Sequence, residues 1–240
     1  MKNNEIIRIS DLVKTFPMGK THFTALKNIN LVISKGEFTG LIGPSGSGKT
    51  TLLNIVGSLD VPTSGEALVL NHSVGKLTPK QSAQLRKENL GFIFQSYNLL
   101  VVHTVFENVE FPLLLLKIGA SERKKMVMDA LEWVGLTDKI KSKPPQLSGG
   151  ECQRVAIARA MVKKPSLVLA DEPTANLDAD NSHNILNTMV ELNRELNTTF
   201  LFATHDEKVI KYLRRKIYLF DGEIDKIIDQ EERDKQQNLN

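Results

Sequence analysis

The chain has one cysteine, one tryptophan and no long apolar run among its 240 residues. A single cysteine excludes a disulfide framework and a zinc site built from several cysteines. The longest apolar stretches, Leu99–Val102 and Phe111–Leu116, are far shorter than the roughly 18 residues that a transmembrane helix requires. The N-terminal segment MKNNEIIRIS has no apolar signal region. These absences predict a chain that lies in the cytosol or reaches a membrane only through a partner.

The overall composition is that of an ordinary globular domain, with 41% hydrophobic and 25% charged residues. The net charge is only +3, and residues 221–240 hold seven acidic and three basic side chains. Nucleic-acid-binding proteins usually carry a concentrated basic stripe, so no nucleic-acid partner is expected. We predict one domain over residues 1–228 and a charged, disordered tail over residues 229–240.

Strands separated by helices predict an α/β fold with a mostly parallel sheet. The first third alternates short β-like runs with turns, starting with Ile6–Leu12 and Ile29–Ile33. The last third alternates strands with helices such as Ala179–Leu196, and Glu207–Leu213 reads as a further short helix. The expected core strands are Phe38–Ile42, Leu90–Phe94, Leu167–Ala170, Thr199–Ala203 and Lys216–Phe220.

The middle third is predicted to be helical. Capping-box spacings at Thr78–Gln81 and Thr104–Glu107 mark two helix starts. We expect the second helix to be interrupted at Pro112, because proline removes a backbone donor. Two more helices are predicted, over Ser121–Val134 and Gly150–Val162.

The segment Gly43–Thr50 fits the pattern Gly-x-x-x-x-Gly-Lys-Thr of a phosphate-binding loop, or P-loop, at every fixed position. An apolar strand precedes it and a helix follows, so backbone N–H groups and the helix N-terminus point at an anion. Lys49 supplies a charge for the β- and γ-phosphates, and the Thr50 hydroxyl is a ligand for Mg²⁺. The candidate phosphate-binding residues are Gly43, Ser45, Gly46, Ser47, Gly48, Lys49, Thr50 and Thr51.

Two adjacent carboxylates end the buried strand Leu167–Ala170. Asp171 at the strand tip can hold Mg²⁺, and Glu172 is placed to polarise an attacking water molecule. Solvated acids at a strand end are common, so this motif gains its meaning only from the P-loop that precedes it.

The segment Leu147–Glu151 places Ser148, Gly149 and Gly150 at the start of a helix. It is therefore a second helix N-terminus suited to phosphate, about 100 residues after the first. One nucleotide needs only one such site. The simplest resolution is a dimer in which the P-loop of one chain and the Ser148 loop of the other hold the same nucleotide.

Together these motifs resemble the ATP-binding-cassette family over about residues 5–225. The resemblance implies ATP and Mg²⁺ as cofactors, a P-loop NTPase (RecA-like) core, an N-terminal antiparallel β subdomain and a helical insert over about residues 96–160. It also implies an ATPase that dimerises around two Mg-ATP and opens after hydrolysis. Its signature loop is matched by Leu147–Glu151.

Further site residues follow from the resemblance alone. Gln95 matches the glutamine that senses Mg²⁺ and the attacking water, and His205 matches the histidine that contacts the γ-phosphate. Asp178 closes the loop that reaches across the dimer, and Phe16 stands where an aromatic ring stacks on adenine. Many relatives have tyrosine at this position, so Phe16 keeps the ring and lacks the hydroxyl. A lone His or Gln is often structural, and Phe16 could equally belong to the core.

Within that family the chain resembles the LolD/MacB group, with the cell-division FtsE proteins nearby. This resemblance rests on Leu53–Gly65, Leu90–Gln95 and Leu169–Asp178. It implies an integral membrane permease of the FtsX/MacB type as partner, driven to release lipoproteins or export drugs and peptides. The cassette would then be peripheral, on the cytoplasmic face of the inner membrane, with membrane contact only through the permease. An importer cassette and a soluble cassette acting on nucleic acid are the alternatives.

Two departures from that group concern the partner surface and a thiol. The segment Leu100–His103 lacks a proline that many relatives carry there. It lies among apolar residues that either pack inside the helical segment or form a groove for a permease helix. These apolar residues are Tyr97, Leu99, Leu100, Val101, Val102 and Phe106. Cys152 stands where Gln or Arg is expected, near a helix N-terminus that could lower a thiol pKa; a small residue on a helix face is the plainer interpretation.

Overall fold

The computed structural model describes residues 4–229 as two sheets and the helices that cover them. The predicted tail, apart from Asp229, lies outside the described residues. Within the described range the strands are β1 (Glu5–Met18), β2 (Thr21–Ser34), β3 (Phe38–Ile42), β4 (Ser64–Val69), β5 (His72–Ser73), β6 (Leu90–Ile93), β7 (Leu167–Asp171), β8 (Thr199–Thr204), β9 (Arg215–Phe220) and β10 (Glu223–Asp229).

The helices lie mostly between the strands of the second sheet. In chain order they are α1 (Lys49–Val56), α2 (Pro79–Asn89), α3 (Val105–Leu115), α4 (Ala120–Trp133), α5 (Gly149–Met161), α6 (Ala179–Leu196) and α7 (Glu207–Ile210). Among residues 4–229, none of these helices combines the length and apolar character that crossing a bilayer demands.

The first sheet is antiparallel, in the order β2-β1-β4-β5, and the second is mostly parallel, in the order β10-β9-β3-β8-β7-β6. All five residues of β3 and all six of β8 are buried. Strands covered on both faces read as continuous apolar runs rather than alternating ones. The predicted α/β fold class with an N-terminal antiparallel sheet is confirmed.

Side chains that alternate along the parallel strands divide the core into two layers. Phe38 and Phe202 pack on one face, with the helical segment, at a ring-centroid distance of 4.7 Å. Leu41 and Leu201 pack on the other face with α1 and the N-terminal sheet. The helices α3, α4 and α5 thus share a continuous core with the sheet, and the boundary of the helical insert at residues 96–160 stays a prediction.

Both predicted capping boxes are present, at Thr78–Gln81 and Thr104–Glu107. The predicted interruption at Pro112 is wrong, because α3 runs through this residue. Val109 and Leu113, on either side of it, are fully buried. Packing of this apolar face outweighs the loss of one backbone hydrogen bond.

The N-terminal strands were the least well predicted elements. β1 and β2 are 14 residues each, well beyond the short runs expected from composition, and they pair as far as the turn between Met18 and Thr21. The helix predicted over Glu207–Leu213 ends at Ile210.

The parallel sheet brings three loops to one edge. β3, β8 and β7 are neighbours, and their carboxyl ends lead into the P-loop at Gly43, the turn at His205 and the acidic pair Asp171–Glu172. In open α/β sheets, ligands bind outside the carboxyl ends of the strands. The candidate site therefore lies at this edge.

Candidate active site

The P-loop needs glycine at positions where its backbone is left-handed or tightly enclosed. Gly46 and Gly48 have φ of 81° and 100°, a region that favours glycine. A Cβ at Gly48 would lie 2.7 Å from the carbonyl oxygen of Ala25, and one at Gly43 would lie 2.1 Å from that of Leu219. The loop is thereby fixed between the N-terminal hairpin and β9, with its backbone free to curve.

The helix that follows the P-loop begins without a side-chain cap. Gly48 is the N-cap of α1, and the first turn carries no acidic residue. The first N–H groups of a helix have no intrahelical acceptor, and the helix dipole favours negative charge there. The N-terminus of α1 is thus suited to an anion such as phosphate.

Lys49 is 7% exposed, and its Nζ donates hydrogen bonds to the carbonyl oxygens of Gly43 (2.7 Å) and Pro44 (2.9 Å). Burial lowers the pKa of Lys49, while the nearby carboxylates of Glu172 and Asp171 act in the opposite direction. A cation that is poorly solvated interacts strongly with an added anion.

Thr50 and Asp171 bring a hydroxyl and a carboxylate together. The Thr50 Oγ1 atom lies 3.2 Å from each carboxylate oxygen of Asp171 and donates to them. The pKa of Asp171 is raised overall. Burial is the main cause, the charge of Glu172 adds to it, and the hydrogen bond from Thr50 acts in the opposite direction. Hard oxygen donors of this kind are those that Mg²⁺ prefers.

Glu172 has an unusual backbone conformation, and its carboxylate is held by two neighbouring side chains. Its φ is 44°, in the left-handed region that non-glycine residues seldom occupy, and its N–H donates to the carbonyl oxygen of Ala203 (2.9 Å). Its carboxylate accepts from Thr204 Oγ1 (3.0 Å) and lies 2.6 Å from His205 Nδ1. Strain that the surrounding structure maintains is typical of functional sites.

The Ser148 loop is capped by its own chain. The Ser148 Oγ accepts from the N–H of Glu151 (3.2 Å), whose carboxylate accepts from the N–H of Ser148 (2.7 Å). Because the hydroxyl oxygen is the acceptor in this cap, its hydrogen is the group that can donate to a ligand. Position 150 has no room for a side chain, because a Cβ at Gly150 would lie 2.5 Å from Asn181 Oδ1.

This loop packs against the start of α6 rather than against the P-loop. Asp178 caps α6, because its carboxylate accepts a hydrogen bond from the N–H of Asn181 (2.8 Å). This bond lowers the pKa of Asp178. Over the described residues, the hydrogen bonds and close glycine contacts of the Ser148 loop do not involve the P-loop. One chain therefore presents the helix starts at the P-loop and at Ser148 separately.

The arrangement matches a known family. A model of the family described as "ABC transporter" matches residues 26–175. The chain belongs to the ABC transporter family.

Individual relatives cover nearly the whole chain. The lipoprotein-releasing system ATP-binding protein LolD of Pseudoalteromonas translucida is 45% identical over 222 residues, covering 92% of this chain and 96% of the relative. The uncharacterized ABC transporter ATP-binding protein MJ0796 of Methanocaldococcus jannaschii is 43% identical over 225 residues, with coverages of 92% and 96%. A dimeric structure of that cassette in a post-hydrolysis state, bound to ADP and Pi, matches with a TM-score of 0.87. The two sequences are 40% identical, and the match covers 93% of this chain and 98% of the MJ0796 chain in that structure. The chain is the ATP-binding, ATP-hydrolysing subunit of an ABC transporter and is similar to LolD.

In this ABC ATPase most of the predicted site residues lie at one edge of the sheet. Lys49, Thr50, Asp171, Glu172 and His205 are joined by the contacts described above. Sequence reasoning missed Thr204, which fixes the carboxylate of Glu172; its position directly before His205 was the available signal.

Gln95 and Phe16 are not joined to this cluster by a hydrogen bond of the described residues, although Gln95 follows β6, the neighbour of β7 in the parallel sheet. Gln95 is exposed, and its backbone oxygen accepts from Asn176 Nδ2 (3.0 Å), so this segment contacts the loop that ends at Asp178. Phe16 is 37% exposed on the β1–β2 hairpin and pairs with Phe23. An exposed ring is not a core residue, which favours the stacking interpretation over the structural one.

The helix N-terminus does not activate Cys152 of the ABC ATPase. The residue is buried, and its Sγ lies 3.7 Å from the carbonyl oxygen of Pro144. Burial raises the pKa of the thiol, and the charge of Glu151 raises it further. The structure therefore supports the plainer interpretation, a small residue on a helix face, over a thiol with a lowered pKa.

We expect iodoacetamide to modify Cys152 at neutral pH at least about tenfold more slowly in the folded chain than in denaturant, because the reacting species is the thiolate. Mass spectrometry of time points measures both rates, with glutathione as the reference thiol. Equal rates in the folded and unfolded chain would show that burial does not protect this sulfur.

Proposed function

We propose that the N-terminus of α1 holds the phosphates of ATP. The uncapped first turn and the buried ammonium group of Lys49 support this assignment. The residues assigned to nucleotide phosphates in the same chain are Gly43, Ser45, Gly46, Ser47, Gly48, Lys49, Thr50 and Thr51. Phe16 is assigned to the adenine base.

Mg²⁺ is assigned to Thr50, Asp171 and Gln95. The hydroxyl of Thr50 and the carboxylate of Asp171 already lie within 3.2 Å of each other, and the amide oxygen of Gln95 is a ligand of the same hard type. When bound, Mg²⁺ supplies positive charge against the phosphate oxygens.

Glu172 is assigned as the group that orients and deprotonates the attacking water. The observation that carries this role is the bonding of both its oxygens, one by Thr204 and one by His205, which fixes the carboxylate at the edge that also holds Lys49. With Nδ1 directed at Glu172, the outward nitrogen of His205 is Nε2, which in the protonated ring donates to a γ-phosphate oxygen. Lys49 and His205 then stabilise charge on that phosphate.

The nucleotide site is completed by a second copy of the chain. The separation of the Ser148 loop from the P-loop within one chain supports a homodimer, as does the dimeric state of the MJ0796 cassette. In this arrangement Ser148, Gly149 and Gly150 of one copy contact the γ-phosphate held by the other. Asp178 lies at the same interface.

An apolar groove beside Gln95 is assigned to a short helix of a membrane permease. It has a volume of about 530 Å³, and its wall includes Leu100, Phe111 and Leu115. Arg159 and Lys163 also line it, and burial lowers the pKa of both, that of Lys163 to about 8. Poorly solvated cations favour a partner helix that carries a carboxylate.

The permease assignment follows the resemblance to the LolD/MacB group. LolD is named as part of a lipoprotein-releasing system. We therefore assign to this chain a permease of the FtsX/MacB type and a role in lipoprotein release or in drug or peptide export. The cassette would be a single domain over residues 1–228, peripheral at the cytoplasmic face of the membrane.

Val101→Asp or Val102→Asp is expected to abolish association with the permease and leave basal ATP hydrolysis unchanged. Leu99 and Phe106 pack against the core, whereas Val101 and Val102 are 61% and 71% exposed beside the groove. A charge on this apolar surface opposes docking and does not reach the catalytic edge. Pull-down with the co-expressed permease and an ATPase assay measure the two effects.

The matched control is Ile227→Asp, which places the same charge on an exposed apolar residue of β10. This control is expected to retain the permease. Unchanged association of the Val101 and Val102 variants would contradict the assignment of the groove.

A further inference from the structure

The ring of Phe16 has a cation against it. Lys14 Nζ lies 4.8 Å from the centroid of the Phe16 ring, within the range of a cation–π contact. The two residues are two positions apart on β1, so their side chains lie on the same side of the strand. Phe23, the cross-strand partner of Phe16, is 51% exposed, so this end of the hairpin presents aromatic surface to solvent.

Lys14 is fixed, unlike most lysine side chains. The residue is only 8% exposed, and its Nζ donates to Asp60 Oδ1 (2.6 Å) and to the carbonyl oxygen of Val61 (2.8 Å). The same oxygen of Asp60 accepts from the N–H of Val61 (2.7 Å). An ammonium group has three donors, and two of them are held by this loop.

The contact lies where the hairpin meets the P-loop. Lys14 pairs with Leu26 on β2, and a Cβ at Gly48 would lie 2.8 Å from the Leu26 side chain. Asp60 follows α1, the helix that begins at the P-loop. The Lys14–Asp60 ion pair therefore links the strand that carries Phe16 to the loop that follows the helix carrying Lys49.

We propose that Lys14 is a positioning residue for the nucleotide base. It holds the Phe16 ring from one side and leaves the other face for adenine, and its charge draws electron density from the ring. A tyrosine at this position could be anchored through its hydroxyl, whereas Phe16 has only packing and this cation to fix it. The inference rests on the proposed stacking of adenine on Phe16.

The test compares Lys14→Met, Phe16→Ala and the double variant. Methionine keeps an unbranched apolar side chain and removes the charge. We expect Lys14→Met to raise the KM for ATP about fivefold with kcat unchanged, and to leave the inhibition constant of inorganic tripolyphosphate, which has no base, unchanged. Lys14→Arg is expected to restore most of the affinity. In the Phe16→Ala background, Lys14→Met is expected to add no further effect.

The outcomes separate the inference from the function on which it rests. If Phe16→Ala leaves the KM for ATP unchanged, the stacking assignment itself is wrong. If Phe16→Ala weakens ATP binding and Lys14→Met does not, only the role of Lys14 is overturned. Equal effects of Lys14→Met with and without Phe16, or equal effects on tripolyphosphate and ATP, would also overturn it, because Lys14 would then act on the P-loop.

A thermal melt of each variant checks folding. Should Lys14→Met fail to fold, Asp60→Asn releases the same ammonium group without removing it. This variant is expected to raise the KM for ATP by about twofold to threefold and to leave the constant for tripolyphosphate unchanged. An unchanged KM for ATP in Asp60→Asn would count against the inference.

Discussion

Glu172→Gln is expected to lower kcat for ATP hydrolysis by at least about a hundredfold and to leave ATP binding in place. The carboxylate is the assigned general base, a role worth about 10²- to 10⁴-fold. Glutamine keeps the shape of the side chain and one oxygen to accept from Thr204, so the strained turn at this residue is retained. Steady-state phosphate release measures kcat, and fluorescent nucleotide titration measures binding.

Glu132→Gln is the matched control, because Glu132 is an exposed carboxylate on α4. It is expected to hydrolyse ATP at the rate of the unmodified chain. A Glu172→Gln variant that retains more than about a tenth of that rate would show that another group activates the water.

Ser148→Asp is expected to lower ATP hydrolysis by about 10²-fold while one isolated chain still binds ATP with unchanged affinity. Aspartate is as good an N-cap as serine, so the start of α5 is preserved. Its negative charge repels a γ-phosphate that is presented by a second chain. Among the residues that the structure describes, no hydrogen bond or close glycine contact joins the Ser148 loop to the P-loop, so binding to the monomer is expected to be unaffected.

Ser148→Asn provides the neutral comparison, since asparagine caps equally well without adding charge. It is expected to lose much less activity than Ser148→Asp. If Ser148→Asp weakens ATP binding to the monomer, the loop acts on the nucleotide of its own chain and the shared site is wrong.

The parallel core, and the meeting of the P-loop with Asp171 and Glu172 at one edge of the sheet, could be predicted because local signals and global fold agree there. The strand Phe38–Ile42 and the helix Ala179–Leu196 have the predicted bounds, and both capping boxes form. The Gly, Lys and acidic residues of the edge are tied to strand ends, whose place in a parallel sheet follows from the topology.

Features decided by packing between distant segments were not predictable. The hairpin residues Val13–Met18 and Thr21–Asn28 have little apolar alternation, and they are strands because they pair with each other. The bond between Lys14 and Asp60 spans 46 positions and has no local signature. The thiol of Cys152 illustrates the same limit, because the main cause of its raised pKa is burial, which the sequence does not show.

The shared nucleotide site is tested most directly by the mass of the Glu172→Gln chain in saturating Mg-ATP, measured by size-exclusion chromatography with light scattering. The account predicts a species of twice the 26.8 kDa of one chain in Mg-ATP and a single chain in Mg-ADP. It also predicts that adding Ser148→Asp returns the Mg-ATP form to a single chain. A single chain in saturating Mg-ATP, or a dimer that persists with Ser148→Asp, would contradict it.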